Sequence, residues 1–192
     1  YGINFENVRI QSDVLLANIQ KEVIRLSELH KKFLSKAGVE LVNGWGEFGS
    51  QNSILVRDRR SNRILRELKG DNILISVGGK PIRPQIKGAC FGWVSDDMFL
   101  LKSFPKKVVI VGAGFIACEF ACILNGLGVE VIQLVRGESL LKGFDREITS
   151  ELTESMKEKG IELRFCESIF SVNGERGNLQ IQTSIGELIH SE

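Results

Sequence analysis

The sequence lacks the features that would assign it to several classes of protein. It has no apolar run near the roughly 20 residues of a membrane helix, and Tyr1 does not begin a signal peptide. Lysine and arginine (25) almost balance aspartate and glutamate (24), so the net charge of +1 gives no sign of affinity for nucleic acid or for a membrane surface. The 43% hydrophobic and 26% charged residues are typical of a globular protein with one large or two small domains.

Metal ligands and a redox motif are also missing from the sequence. The four cysteines (Cys90, Cys118, Cys122 and Cys166) form no C-x-x-C pair, and the two histidines join no metal-type cluster, so we predict no metal site. Cys118 and Cys122 are spaced to share one helix face, which leaves a redox pair as an alternative. Their small apolar neighbours favour a structural role. Reduced thiols predict a cytoplasmic location.

The residues that are present point first to Val108–Lys142. Val108–Val111 is a β-branched run that predicts a short buried parallel strand. Gly112-Ala113-Gly114-Phe115-Ile116-Ala117 follows as a G-x-G-x-x-A turn that opens a helix of small residues, and a second apolar strand covers Val129–Val135. Strand, glycine turn, helix and strand in this order predict a dinucleotide-binding βαβ unit. In such a unit Gly112 makes the turn, and Gly114 lets the backbone approach a pyrophosphate at the helix N-terminus.

The end of the second strand indicates which nucleotide binds. An NAD-binding unit carries Asp or Glu at this point, where the carboxylate binds the ribose 2′-OH. This sequence has Val135 and Arg136 instead, with Lys142 in the loop that follows. A strand end without an acid, followed by a loop flanked by two cations, favours a 2′-phosphate, and we therefore predict NADPH. The alternative is that Arg136 and Lys142 are solvated loop residues.

The rest of the sequence alternates between helical and strand patterns. Upstream, the periodicity predicts one long helix over 13–37 and a β-meander with strands at 39–42, 53–57 and 63–68. An apolar run at 72–77 predicts a buried strand, and two prolines predict an extended linker over 80–88. Downstream, Asp145 is expected to cap a helix through Lys159, and 161–165 is a candidate parallel strand. Short strands at 168–172, 179–183 and 188–190 predict an antiparallel sheet turned by Asn173-Gly174.

Together these motifs resemble the flavin-dependent pyridine nucleotide–disulfide oxidoreductases, most closely the members that reduce glutathione disulfide. The resemblance is carried by Asn72–Pro81, Val94-Ser95-Asp96, Phe104–Lys107, Gly112–Glu119, Leu134–Arg136 and Gly143–Arg146. It implies an α/β fold in which residues 1–101 are the later part of a three-layer FAD-binding domain with its β-meander. Residues 102–192 are implied to be a Rossmann-like NADPH-binding domain. The implied cofactors are NADPH and FAD.

The resemblance also implies roles for individual residues. Ala113, Gly114, Ile116 and Glu119 match NADPH contacts of the family, Phe115 replaces the tyrosine that gates the nicotinamide pocket, and Arg136 and Lys142 match its 2′-phosphate pair. Gly46 and the turn Ser76-Val77-Gly78 match positions beside the flavin, and His30 falls at the disulfide-substrate site. Glu119 is the only carboxylate on an otherwise apolar helix face, and a buried carboxylate needs a partner. The resemblance implies that this partner is a lysine beside the redox disulfide, outside these residues, so we expect Glu119 to be hard to replace in the whole enzyme but easy in this chain. The alternative is that it reaches solvent at a rim.

The resemblance implies that the parent enzyme passes electrons from NADPH through FAD and a cysteine pair to glutathione disulfide, and that it acts as a homodimer. The C-x-x-x-x-C pair, the catalytic histidine, the dimerisation domain and the strand that closes the NADPH-binding sheet are expected outside these residues. The lack of an initiator methionine agrees with that, and the chain alone is expected to be inactive. Lipoamide dehydrogenase, trypanothione reductase and thioredoxin reductase remain alternatives, as does a non-catalytic NADPH-binding module.

Overall fold

The computed structural model describes residues 9–50 and 52–192, which form two compact units. One unit comprises residues 21–80, and the other comprises residues 81–192 together with the described residues up to Gln20. The first eight residues of the predicted FAD-binding domain, and Gln51 of the meander, lie outside the described residues. The predicted boundary between two cofactor-binding domains at 101/102 stays a prediction.

The unit of residues 21–80 contains a three-stranded meander. Helix α1 (Ser12–Lys36) precedes it, and its ends lie within one residue of the predicted ones. Strands β1 (Trp45–Phe48), β2 (Ser53–Arg57) and β3 (Ile64–Lys69) pair antiparallel in the order β1-β2-β3. The predicted meander is therefore confirmed, with β2 at its predicted residues.

The first predicted strand of the meander, 39–42, is wrong. The first strand of the meander is instead Trp45–Phe48, and Gly46 lies opposite Val56 where this strand pairs with β2. Gly44, next to this strand, allows the backbone to lie close to β2, because a Cβ at this position would lie 2.3 Å from Val56 Cγ1. The glycines of this stretch therefore belong to the sheet and its edge, whereas the sequence pattern suggested a turn.

The predicted buried strand at 72–77 is also wrong. Residues 73–80 have no regular secondary structure, and Leu74 and Val77 are 87% and 88% exposed. A β-strand needs a neighbouring strand to satisfy its backbone N–H and C=O groups, and no strand of the described residues pairs with this segment. Its apolar composition therefore did not suffice to make it a strand.

The unit of residues 81–192 contains the predicted βαβ arrangement. Strands β4 (Lys107–Val111), β5 (Glu130–Val135) and β6 (Glu162–Phe165) form a parallel sheet in the order β4-β5-β6. Helix α3 (Phe115–Gly126) connects the first two strands, and α4 (Arg146–Glu158) precedes the third. A short helix, α2 (Ser95–Met98), lies upstream. The α/β class and the third parallel strand are confirmed.

The Asp145 side chain caps α4, as predicted from the sequence. Its carboxylate accepts hydrogen bonds from the backbone N–H of Glu147 at 2.9 Å and of Ile148 at 3.3 Å. Side-chain caps of this kind satisfy amide groups that have no acceptor within the helix. The cap therefore fixes where the loop after β5 ends and α4 begins.

A second antiparallel sheet completes this unit. Its strands are β7 (Ile169–Glu175), β8 (Asn178–Thr183) and β9 (Leu188–Ser191), in the order β7-β8-β9. The sheet is confirmed, but the predicted turn at Asn173-Gly174 is wrong. Both residues lie within β7, opposite Gln180 and Leu179, and the chain turns at residues 176 and 177.

The parallel sheet is covered by a different layer on each face. On one face Val131 and Val135 of β5 share an apolar cluster with α3 and with Met156 of α4. On the other face Ile132 and Leu134 of β5 share a cluster with strands of the antiparallel sheet. Strand β5 is therefore buried from Val131 to Val135, and it forms the centre of this unit.

Candidate functional site

The glycine turn lies between β4 and α3, as the motif requires. Gly112 has a φ of +138°, in the region that favours glycine, and Gly114 has extended backbone at the N-cap of α3. Phe115 and Ile116 are the first two residues of the helix and are exposed. The first amide N–H groups of a helix have no acceptor within it, and they lie at the positive end of the helix dipole. This end of α3 can therefore hold an anion such as a phosphate.

The carbonyl oxygens of the glycine turn are hydrogen-bonded to three different parts of the chain. For Gly112, Ala113 and Gly114 the donors are, in turn, Gln133 Nε2 at 2.9 Å, the Leu141 N–H at 2.7 Å and the Cys118 N–H at 3.1 Å. The Gly112 N–H donates in turn to the Leu134 carbonyl at 3.0 Å. A carbonyl that faced an anion would repel it, so these bonds leave the turn suited to present N–H groups.

Arg136 and Lys142 flank the loop that follows β5. Arg136 is exposed directly after the buried Val135, and Lys142 is exposed next to Leu141. The bond from the Leu141 N–H to the Ala113 carbonyl brings the loop back to the glycine turn, and Leu141 adopts a left-handed φ of +48° there. In the described part of the chain neither cation takes part in a salt bridge. Both side chains are therefore available to a ligand.

The structure places Glu119 on α3, in the same helix as Phe115 and Ile116, and its side chain is exposed. This exposure agrees with easy replacement of Glu119 in this chain, whereas its pairing with a lysine in the whole enzyme stays a prediction. An exposed carboxylate keeps its hydration and needs no protein partner. In this chain Glu119 can be replaced without leaving a buried group unpaired.

The residues expected beside FAD and the disulfide substrate lie in the other compact unit. Gly46 is part of β1, whereas Ser76, Val77 and Gly78 lie in the irregular segment after β3. His30 is exposed on α1. No hydrogen bond among the described residues joins Gly46 or His30 to the 76–78 segment. Roles for these residues therefore stay predictions.

An apolar cleft of about 620 Å³ runs along β4 in the unit of residues 81–192. It is bordered by the segment around Trp93, by the start of α3 with Gly114 and Ile116, and by the antiparallel sheet. Arg83 holds this segment in place through a hydrogen bond to the Gly92 carbonyl and an ion pair with Asp97 at 3.1 Å. The Val94 N–H also binds Asp97, and that bond lowers the pKa of the carboxyl. Arg136 and Lys142 do not line the cleft.

Sequence reasoning missed Gln133, a residue of β5 whose side chain hydrogen-bonds to the glycine turn. Its side chain is fully buried, and besides Gly112 its Nε2 contacts Cys118 Sγ at 3.7 Å. A signal was present in the sequence, because a glutamine interrupts the apolar run from Val129 to Val135. The apolar run by itself predicts a hydrophobic strand and gives no role to the glutamine.

The four thiols should differ strongly in their reactivity. Burial raises the pKa of the Cys118 thiol, which lowers its thiolate fraction at neutral pH, whereas Cys90 and Cys166 are exposed. We expect Ellman's reagent to modify Cys90 and Cys166 first and Cys118 last, as mass spectrometry of quenched samples would show. If Cys118 reacted as fast as Cys166 in the folded protein, the structural role assigned to it would be wrong.

Residues 9–50 and 52–192 contain neither a candidate metal cluster nor a membrane-spanning helix. No group of three or more His, Cys, Asp or Glu side chains there could hold a metal ion. None of the described helices has the length and apolar character needed to cross a membrane.

A parallel βαβ unit with a glycine turn, exposed helix N-terminus and flanking cations defines a dinucleotide-binding fold. Comparison with known families places it further: residues 4–191 match the pyridine nucleotide-disulphide oxidoreductase family, and the chain belongs to that family. The match extends through both compact units, so it does not depend on the glycine motif alone.

Curated relatives of this chain include three proteins named glutathione reductase. The chain is 40% identical over 163 residues to the one from Nostoc sp., which covers 85% of this chain and 34% of the relative. It is 35% identical over 173 residues to the one from Burkholderia cepacia, covering 90% and 37% of the two chains. The chloroplastic/mitochondrial protein of Pisum sativum is 37% identical over 173 residues, covering 90% and 30%. The chain thus spans about a third of the length of these relatives.

Solved structures show the same fold. An HOCl-induced flavoprotein disulfide reductase from Escherichia coli superposes with a TM-score of 0.76, at 22% sequence identity, over 92% of this chain and 40% of its own length. The Cu(II) complex of a mutant of that protein gives a TM-score of 0.78 over 92% and 41% of the two chains. At this level of identity the likeness supports the fold alone.

Proposed function

We propose that this chain supplies the NADPH-binding portion of a flavoprotein disulfide reductase that uses FAD and a cysteine pair to reduce glutathione disulfide. In this proposal residues 102–192 bind NADPH and residues 1–101 belong to an FAD-binding domain. The glycine turn holds the pyrophosphate, and Arg136 and Lys142 hold the 2′-phosphate. The relatives named glutathione reductase support the choice of substrate. Homodimerisation, a cytoplasmic location and inactivity of this chain alone belong to the same proposal.

The observation that carries the proposal is the position of Arg136 relative to the glycine turn. Both lie at the carboxyl ends of neighbouring parallel strands, because Val111 pairs with Leu134 in the sheet. A dinucleotide bound at the carboxyl edge of such a sheet places its adenosine ribose near the end of the second strand. An arginine there, unpaired in the described structure, suits a phosphate and not a ribose hydroxyl.

The described residues fit NADPH better than they fit FAD. The N-terminus of α3 and the two exposed cations form a suitable set of donors for NADPH, which would supply a hydride when bound. For FAD the described structure offers Gly46 in a sheet and Ser76, Val77 and Gly78 in an irregular segment. FAD binding by this chain therefore rests on the family, whereas NADPH binding rests on the geometry as well.

Calorimetric titration of the 192-residue chain with NADPH and with NADH tests the proposal. Each hydrogen bond to a charged group contributes about 1.5–3 kcal/mol, and exposure to solvent reduces that, so we expect NADPH to bind about 100-fold more tightly than NADH. Equal affinity, or tighter binding of NADH, would favour an NAD enzyme of the family such as lipoamide dehydrogenase. If neither nucleotide bound, the NADPH-binding role would be rejected.

A further inference from the structure

Gln133 is a buried polar residue at a position where the rest of its strand is apolar. It lies in the middle of β5, between Ile132 and Leu134, and its side chain is on the face shared with Val131 and Val135, toward α3. None of its surface is exposed. Burying an amide among apolar side chains is unfavourable unless its hydrogen-bonding groups are satisfied. The residue therefore needs an explanation beyond packing.

Only one of the two polar atoms of the Gln133 side-chain amide has a hydrogen-bond partner among the described residues. Its Nε2 donates to the Gly112 carbonyl at 2.9 Å and contacts Cys118 Sγ at 3.7 Å. Its Oε1 is buried and has no partner among the described residues. An apolar side chain of the same size would leave no such unpaired acceptor inside the core. The only strong contact of the amide is thus the one to the glycine turn.

The hydrogen bond from Gln133 holds the Gly112–Ala113 peptide, whose first residue has an unusual backbone conformation. Gly112 has a φ of +138°, and glycine at such a position has more conformational freedom than any other residue. The turn is tied at Ala113 and Gly114 by backbone N–H groups, whereas at Gly112 the carbonyl is held by a side chain. Without Gln133 the carbonyl of the Gly112–Ala113 peptide would lose its donor. The turn could then rotate this carbonyl toward the bound anion.

We propose that Gln133 is a positioning residue for dinucleotide binding, which holds the Gly112 carbonyl beneath the turn so that the N–H groups at the start of α3 face the pyrophosphate. This inference rests on the proposed nucleotide-binding function. Because the pyrophosphate is common to NADPH and NADH, Gln133 acts on both nucleotides alike. It differs in this from Arg136, which acts on the 2′-phosphate alone.

Gln133→Met tests the inference, since methionine has nearly the same size and shape without the amide. The matched control is Val131→Ala, on the same strand and the same face but without a bond to the turn. We expect Gln133→Met to weaken NADPH and NADH by about the same factor, roughly 5- to 30-fold, and to leave their ratio unchanged. Its Tm should stay within about 3 °C of the original chain. Val131→Ala should lower Tm and leave both affinities nearly unchanged.

A second measurement needs no nucleotide. Backbone ¹⁵N relaxation of the unliganded chain reports the order parameters of the Gly112–Gly114 amides, which should fall in Gln133→Met and remain as in the original chain in Val131→Ala. Unchanged affinities and order parameters in Gln133→Met would overturn the inference, as would an equal loss in both variants. If the original chain bound neither nucleotide, the proposed function would fail, and the order parameters alone would decide whether Gln133 holds the turn.

Discussion

Arg136→Ala should weaken NADPH binding by about 10- to 100-fold and leave NADH binding almost unchanged. The guanidinium is exposed directly after β5 and takes part in no salt bridge among the described residues, so its removal deprives only the ligand of a partner. Arginine can contact a phosphate by two parallel hydrogen bonds, and this explains the size of the effect. Calorimetric titration of the variant with both nucleotides measures it.

The same substitution should also flatten the dependence of NADPH affinity on salt. Screening acts on charge pairs, and the variant has one fewer cation at the phosphate. Arg60→Ala is the matched control, because it removes the same charge from an exposed turn between β2 and β3 and does not line the cleft at the start of α3. The control should bind NADPH like the original chain. If Arg136→Ala weakened both nucleotides equally, Arg136 would not bind the 2′-phosphate, and the main argument against an NAD enzyme would be lost.

Gly88→Ala should destabilise the unit of residues 81–192 by about 3 kcal/mol or more. Gly88 has a φ of +78°, which costs an alanine roughly 1–2 kcal/mol. An added Cβ would also lie 1.9 Å from the Val172 carbonyl oxygen, so the backbone would have to move. That movement would strain the neighbouring hydrogen bond from the Val172 N–H to the Lys87 carbonyl, which is 2.8 Å long.

Gly186→Ala separates the two causes of that loss. Gly186 has a similar φ of +89°, but nothing lies within 4 Å of the position of its Cβ, so only the backbone term of roughly 1–2 kcal/mol applies. Urea unfolding followed by Trp93 fluorescence, in a Trp45→Phe background, reports this unit alone because the chain has two tryptophans. Equal losses in the two variants would show that residues 87–88 do not pack against β7.

The parts of the fold that the sequence predicted well are those set by local signals. The βαβ unit follows from a β-branched run, a glycine turn and a second apolar run, and the cap of α4 follows from Asp145. Each of these signals lies within a few residues of the structure that it specifies. The approximate ends of α1 followed from helical periodicity for the same reason.

The errors arose where the structure depends on partners far away in the sequence. Residues 72–77 have the composition of a strand, but pairing requires another strand, which no described segment provides. Gly44 and Gly174 looked like turn residues, whereas a Cβ at either position would collide with a neighbouring strand. Glycine occurs both in turns and where two backbone segments lie close together, so its role depends on what packs against it.

The candidate site shows the same division. Gly112, Gly114, Arg136 and Lys142 were found because the order of strand, turn and helix predicts their place in the sheet. Gln133 was missed because its proposed role depends on a hydrogen bond across 21 positions of sequence, to the Gly112 carbonyl. Helical periodicity places Glu119 on one face of α3 but does not say what covers that face, so its pairing in the whole enzyme stays a prediction.

The burial of β5 ends abruptly, and this has a consequence for how nucleotide preference can change over time. Val135 is fully buried between two layers, and Arg136, the next residue, is exposed. Substitutions at 136 therefore meet solvent, whereas those one residue earlier meet the core. Under the proposed binding of the 2′-phosphate by Arg136, selection can alter the preferred nucleotide at 136 without weakening the scaffold. Fold and cofactor choice are then open to independent evolution across a single peptide bond.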